Sequence, residues 1–287
     1  MILNEGGAMP GVGPIHIDEI EPTLDALERV LKIDLKNNAL GSVGKKQFSG
    51  DIDIALQIAP EDIPAFVEKL EKVPEILDIA KSSVIMTKVK IVDFDQSKQT
   101  TKPRTGFVQV DFMPGDPGWL KTYYHSPSET ESKYKGVFRN IMIATIAAVL
   151  DRKDSEEKID DGRPVESERW MWSPADGLVR IRRTPVPKKS GDGFTKKNNN
   201  EIIGEPIKDA SGIAKALKLD GPKDLNSYES LKAAIEQNYP QDMVDNILDG
   251  FAKNPQVKDI GVPEDLKDRV QESLADKHLR RLKELLP

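Results

Sequence analysis

Apolar residues within positions 18–36 recur three and four apart, at Leu24, Leu27, Val30, Leu31 and Leu35, behind an acidic start. That spacing predicts an amphipathic helix with its first turn matched to the helix dipole. Residues 52–56 (Ile-Asp-Ile-Ala-Leu) then alternate as a strand does. Pro60-Glu-Asp opens a second predicted helix running through Phe66, Leu70 and Ile76. The β-branched stretch 83–92 reads as a strand, and after the polar turn 96–104 residues 107–112 alternate again. The order helix, strand, helix, strand, strand predicts a small α/β sheet. Residues 1–14, rich in Gly and Pro, predict an irregular arm ahead of it.

Residues 129–150 read as one long helix whose later half (Ile141, Met142, Ile143, Ile146, Val149, Leu150) is apolar nearly all round, and therefore buried. The acidic run 151–161 is expected to be a solvated loop. Residues 169–182 carry a hairpin pattern around Pro174-Ala-Asp-Gly177, and 185–200 a polar segment without periodicity, expected to be mobile. Helical patterns return at 212–217, 230–237, 243–251 and 263–286, separated by Gly and Pro. The expected organisation is an α/β domain over residues 1–160, a hairpin and basic loop over 161–200, and a mainly helical domain over 201–287.

A chain of 287 residues with 38% hydrophobic and 31% charged residues fits a soluble globular protein of two units. The net charge of −6 argues against a general nucleic-acid coat but leaves room for a local basic surface. No apolar run approaches the ~20 residues that span a bilayer, and the first residues lack the pattern of a signal peptide. Membrane partners are therefore not expected, and nothing in the pattern identifies a protein partner. The absence of cysteine removes thiolate metal sites, disulfides and cysteine nucleophiles, and fits a reducing cytoplasm, a host's if the protein is viral. With three histidines, chemistry falls to carboxylates, hydroxyls and cations.

Asp51 and Asp53, at i and i+2, project from one face of their strand. Asp111 shares a face with Phe107 and Gln109 on the later strand, and Asp93 and Asp95 form a competing pair at another strand end. Asp-x-Asp alone is common. Three carboxylates converging at a sheet edge can, however, hold two hard cations about 3.5–4 Å apart, the arrangement that serves phosphoryl and nucleotidyl transfer. Gly41-Ser42 upstream suits a tight turn whose N–H groups and hydroxyl meet a phosphate. Lys45 and Lys46 add cations beside it. The segment is not a P-loop, because neither the Gly-x4-Gly-Lys-Ser/Thr spacing nor a following helix is present.

Gly-Ser, a short gap, Asp-x-Asp and a later strand-borne Asp together resemble the polymerase β-like nucleotidyltransferase superfamily, over residues 20–150. The resemblance implies a small mixed-sheet catalytic domain, two Mg²⁺ or Mn²⁺ ions and an NTP substrate. It implies metal binding and catalysis by Asp51, Asp53 and Asp111, and phosphate binding by Gly41, Ser42 and Lys45. It further implies a basic residue from the next helix, Lys133, Lys135 or Arg139, on the triphosphate, with Ser126 or Tyr134 near the nucleotide. Residues 43–50 lack the Thr common in the messenger-synthesising branches. Superfamily members transfer nucleotides to nucleic-acid ends, proteins, small molecules or other nucleotides, and some are inactive nucleotide-binding modules.

One local basic concentration comprises Arg180, Arg182, Arg183, Lys188, Lys189, Lys196 and Lys197, downstream of Trp170 and Trp172. Cations tracking a backbone beside aromatic stacking platforms would suit a nucleic-acid acceptor, with Arg180, Arg182, Lys188 and Lys189 as contacts. The alternative is a solvated loop behind core tryptophans. The expected function is transfer of NMP to a nucleic-acid 3′ end with release of pyrophosphate.

Overall fold

The computed structural model describes residues 9–82, 84–128, 130–134 and 136–267. Contacts divide the chain into two compact units, Met1–Gly136 and Val137–Pro287. The first is α/β and the second joins an antiparallel sheet to a helical C-terminal region.

In the first unit, helix α1 (Ile17–Leu31) starts at a capping box in which the His16 side chain accepts from Asp18 N–H while Glu19 reaches back to His16 N–H. Ile20, Leu24, Leu27 and Leu31 line its buried side. It stops short of the predicted residue 36 because Lys32 turns left-handed (φ 57°). Asp34 then accepts from Asn37, and Glu28 accepts from the N–H groups of Leu35 and Lys36, giving the backbone partners outside the helix.

Two short strands, β1 (Ile15–His16) and β2 (Phe48–Ser49), pair antiparallel beside the main sheet. That sheet comprises β3 (Asp51–Leu56), β4 (Ile76–Lys81), β5 (Ile85–Lys90) and β6 (Phe107–Pro114) in the order β3-β6-β5-β4. β3 and β6 are parallel, and the other pairs are antiparallel. Ile52, Ile54, Val108, Val110, Phe112, Ile85 and Val89 form one buried face, covered by α1 and by α2 (Ile63–Leu70). The second helix ends at Leu70 instead of continuing to Ile76. Pro74 cannot extend it, and Ile76, expected in the helix, instead opens a strand over residues 76–81 that the sequence pattern does not predict. On the opposite face, Leu40, Ala55 and Leu120 of α3 (Pro117–Tyr123) make a small apolar cluster at the C-terminal end of β3.

The long predicted helix 129–150 is shorter in the structure: α4 runs Gly136–Val149. The division between units falls at its start rather than after residue 160, because Phe138 meets Tyr228 and Phe251 in aromatic contacts of 6.4 and 5.9 Å. Tyr228 and Phe251 belong to α6 (Tyr228–Asn238) and α7 (Gln241–Lys253), which follow α5 (Ala210–Ala216). A further helix, α8 (Pro255–Ile260), lies between the expected ones, and most of the helix expected over 263–286 falls outside the described residues. The second sheet contains β7 (Lys153–Asp154), β8 (Ser167–Ser173), β9 (Gly177–Pro187) and β10 (Phe194–Ile202), antiparallel in the order β10-β9-β8-β7. Residues 185–200, expected as a mobile loop, are largely paired strand. Backbone hydrogen bonding across β9 and β10 requires no apolar alternation, so a polar hairpin carries little sequence signal.

The β1–α1 junction is tied to residues 92–107 by one buried ion pair. Arg104 donates to Glu19, which is 1% exposed and also accepts from His16 N–H and Asp95 N–H. The guanidinium lies over the Phe94 and Phe48 rings at 4.6 and 5.6 Å and donates to the Pro14 carbonyl. Arg104→Ala would leave the Glu19 carboxylate buried without its cation and should cost about 3–5 kcal/mol of stability. Lys98→Ala, which removes the more exposed Lys98–Asp18 pair, should leave stability nearly unchanged because solvent screens that pair. Denaturant midpoints at neutral pH measure both.

Candidate metal centre

The parallel register aligns Asp53 with Asp111 and Asp51 with Gln109. All four side chains therefore rise from the sheet face opposite the main core. One carboxylate oxygen from each of Asp51, Asp53 and Asp111 lies within 4.8 Å of the others. Asp93 and Asp95 do not join them. Asp93 sits at a left-handed turn position (φ 56°), and Asp95 accepts from Ser97 N–H and Oγ in a local turn.

Gln109, 3% exposed, is the support that sequence reasoning placed on the face without assigning it a task. Its amide donates to both Asp111 oxygens at 2.9 Å, and its Oε1 accepts from Met9 N–H at 3.0 Å. Both carboxylate oxygens of Asp111 are thus held in place. An amide side chain two positions before a strand carboxylate, on the same face, is the signal the sequence carries.

Burial raises all three carboxyl pKa values above the ordinary 3.8. Asp53 is pushed up to about 8 by desolvation and by the charges of Asp51 and Asp111. Asp111 is pushed up to about 6 by burial, against the Gln109 hydrogen bond and with Asp51 adding to the rise. Desolvation also raises Asp51, opposed by the Lys102 cation. Tyr124, at the end of α3, is raised by burial and by Asp53, which places it among the groups that feel the cluster.

Leu40 N–H donates to the Asp53 carbonyl at 2.8 Å and so pins the Gly41-Ser42 turn beside the carboxylates. Gly41 is left-handed (φ 63°), and a Cβ there would stand 3.7 Å from Asp53 Oδ2. The turn therefore needs a glycine for conformation and comes close to the site. Val43 N–H and Lys45 N–H close it back on Leu40 and Ser42, whereas the N–H groups of Gly41, Ser42 and Gly44 make no hydrogen bond among the described residues. Lys45 Nζ donates to the Ser126 carbonyl at 2.7 Å, so these two candidates meet. Burial lowers the Lys45 pKa, with Glu131 opposing.

Lys133 stands over the Tyr134 ring at 5.1 Å, ahead of α4 rather than on it. Lys135 lies outside the described residues. Arg139 belongs to the second unit, where its buried guanidinium donates to the Leu225 carbonyl and to Asn140 Oδ1. Arg180 stacks over Trp170 at 5.7 Å and donates to the Asp151 carbonyl. Arg182 is enclosed by Glu168, Glu166 and Glu201 at 3.1, 3.3 and 3.6 Å. Lys188 and Lys189 are exposed at the end of the β9–β10 hairpin.

The three carboxylates suit a hard cation, since the donors are all oxygen and no ion pair among the described residues compensates their charge. The chain matches no protein-family model and no curated protein sequence.

Folded Asp53 keeps its proton to about pH 8, whereas an unfolded aspartate loses it near 3.8. The folded state therefore binds more protons between these values, and the stability of metal-free protein should fall as pH rises through that window. Asp53→Asn should flatten the fall and raise Tm by several degrees at pH 8.5, at roughly 2–4 °C per kcal/mol. Thermal scans in chelator from pH 5 to 9 measure this.

Proposed function

We propose that the chain is a metal-dependent nucleotidyltransferase of the polymerase β-like kind, transferring NMP from an NTP to a hydroxyl of a nucleic-acid 3′ end and releasing pyrophosphate. The observation that supports it most is the in-register Asp51, Asp53 and Asp111 cluster beside a left-handed Gly-Ser turn. Bound to these carboxylates, divalent cations would supply Lewis-acid stabilisation of charge on the transferring phosphoryl group and make an attacking hydroxyl more acidic.

The residues' own contributions follow from their surroundings. Asp51 and Asp53 are held on adjacent same-face positions of one strand, so they can share ligands without backbone rearrangement. Asp111, fixed by Gln109, is the best placed to orient an acceptor hydroxyl and take up its proton, because its pKa of about 6 leaves it mostly ionised at neutral pH. The turn N–H groups and the Ser42 hydroxyl are donors suited to phosphate oxygens, and Lys45 adds a cation beside them. Removing like-charge repulsion among the aspartates would also favour joint binding of cation and triphosphate, so neither should bind well alone.

Incubation of labelled NTPs with Mg²⁺ or Mn²⁺ and tRNA, single-stranded RNA, DNA, protein or no acceptor tests the reaction. Nucleic-acid labelling is the expected outcome, and labelling confined to another class would reassign the acceptor. Asp51→Asn and Asp111→Asn should each lower turnover on the order of 10³-fold or more. Activity within tenfold of wild type in either variant would remove that residue from the reaction.

In thermal shift, NTP plus Mg²⁺ should stabilise the protein well beyond either component alone. Equal stabilisation by NTP in EDTA, together with no turnover, would indicate a metal-independent nucleotide-binding module instead.

A further inference from the structure

The second sheet separates its cations onto two faces. Glu168, Arg182 and Glu201 are aligned across β8, β9 and β10, so this face neutralises Arg182, while Arg180 on the same face stacks on Trp170 and donates to the Asp151 carbonyl. On the other face, Asp154, Ser167, Arg183 and Asn200 are aligned in one row. Arg169, two positions from Ser167, shares that face, and so does Arg152, two positions before Asp154. The face gathers three arginines against a single strand carboxylate, Asp154, which Arg152 already engages at 2.8 Å.

Two observations set these arginines apart from ordinary solvated cations. Arg169 and Arg183 are half-buried, and neither side chain makes a hydrogen bond or ion pair with any described residue. The Nε of each is removed from solvent without an acceptor. Their electrostatics agree with the geometry. Burial first, and then Arg183 and Arg152, push the Arg169 pKa down to about 10, and burial and Arg152 lower Arg183. A desolvated guanidinium without an acceptor, packed among like charges, is unfavourable in the free protein. An oxyanion would reverse both penalties, and the planar guanidinium fork fits phosphate oxygens in pairs.

We propose that the face carrying Arg152, Arg169 and Arg183 binds the sugar–phosphate backbone of a single-stranded nucleic acid. The cations lie across adjacent strands at the end of this face beyond the buried Val179 and Ile181, a spread that suits an extended polyanion. Asn200, and Asn198 two positions before it, continue the row with amide donors of the kind that position sugars and phosphates. The assignment moves acceptor contact from Arg182, on the neutralised face, to its neighbour Arg183. As to what the bound strand is for, it rests on the transfer reaction proposed above; binding itself does not require turnover.

Fluorescence anisotropy of a labelled 20-nucleotide RNA with the full chain, in EDTA and without NTP, tests it independently of catalysis. Affinity should fall steeply with salt as phosphate neutralisation releases counterions. The double variant Arg169→Gln/Arg183→Gln should bind on the order of tenfold more weakly, with a salt slope shallower by about one unit per lost contact. Arg152→Gln, at an exposed position, should also weaken binding and keeps the test valid if the double variant folds poorly. Lys253→Gln removes one cation from α7 and should leave binding unchanged, and Arg182→Gln should weaken it less than Arg183→Gln.

No measurable RNA binding, unchanged binding in both the double variant and Arg152→Gln, or a larger loss in Arg182→Gln would overturn the proposal. So would displacement of the RNA by inorganic phosphate at equal phosphate concentration, since that would make the site one for a free anion. Turnover on nucleic acid with these binding results absent would sink the face alone. Binding without turnover would sink the reaction alone.

Discussion

The parallel pairing of β3 with β6 is the constraint on which the first unit is built. Its register sets Asp53 directly against Asp111, a like-charge juxtaposition that cross-strand pairing ordinarily disfavours. The pairing persists because the same register places Ile52, Ile54, Val110 and Phe112 together on the other face, each fully buried beneath α1 and α2. A slip of one residue would exchange the faces, setting carboxylates in the core and isoleucines in solvent. Hydrophobic burial thus maintains an electrostatically unfavourable cluster. Such local conflict between interactions is characteristic of functional sites.

The surroundings of the cluster reduce the conflict without removing it. Gln109 donates to Asp111, the Lys102 cation acts on Asp51, and protonation of Asp53 is favoured. None of these supplies a charge-balancing ion pair within contact distance. The Arg104–Glu19 pair meets the same physics with the opposite result, since there the buried carboxylate has a cation, two backbone donors and flanking aromatic rings. The contrast between a satisfied and an unsatisfied buried carboxylate within one unit separates a structural ion pair from a chemical site.

In the second unit the unbalanced charge is positive. Strand alternation sorts Arg182 and Arg183, neighbours in sequence, onto opposite faces, one among three glutamates and the other beside Arg169 and Arg152. A run of basic residues therefore contains two different electrostatic environments. Counting its charge gives neither.

The sequence alone was sufficient for the carboxylate triad, the Gly-Ser turn, the α/β character of the first unit and helices α5, α6 and α7 of the C-terminal region. Each rests on short-range periodicity or on a residue type with a specific backbone preference. It missed β4, because residues after Leu70 keep an apolar spacing compatible with a helix and only pairing with β5 makes them a strand. It missed β10, because a polar edge strand is defined by backbone partners rather than by side chains. The support of Asp111 by Gln109, the end of α1 at Lys32 and the sorting of the arginines were likewise decided by tertiary structure. Local pattern specifies which face a residue occupies within its own element. Which charges then meet across elements depends on register and burial, and these are properties of the folded chain.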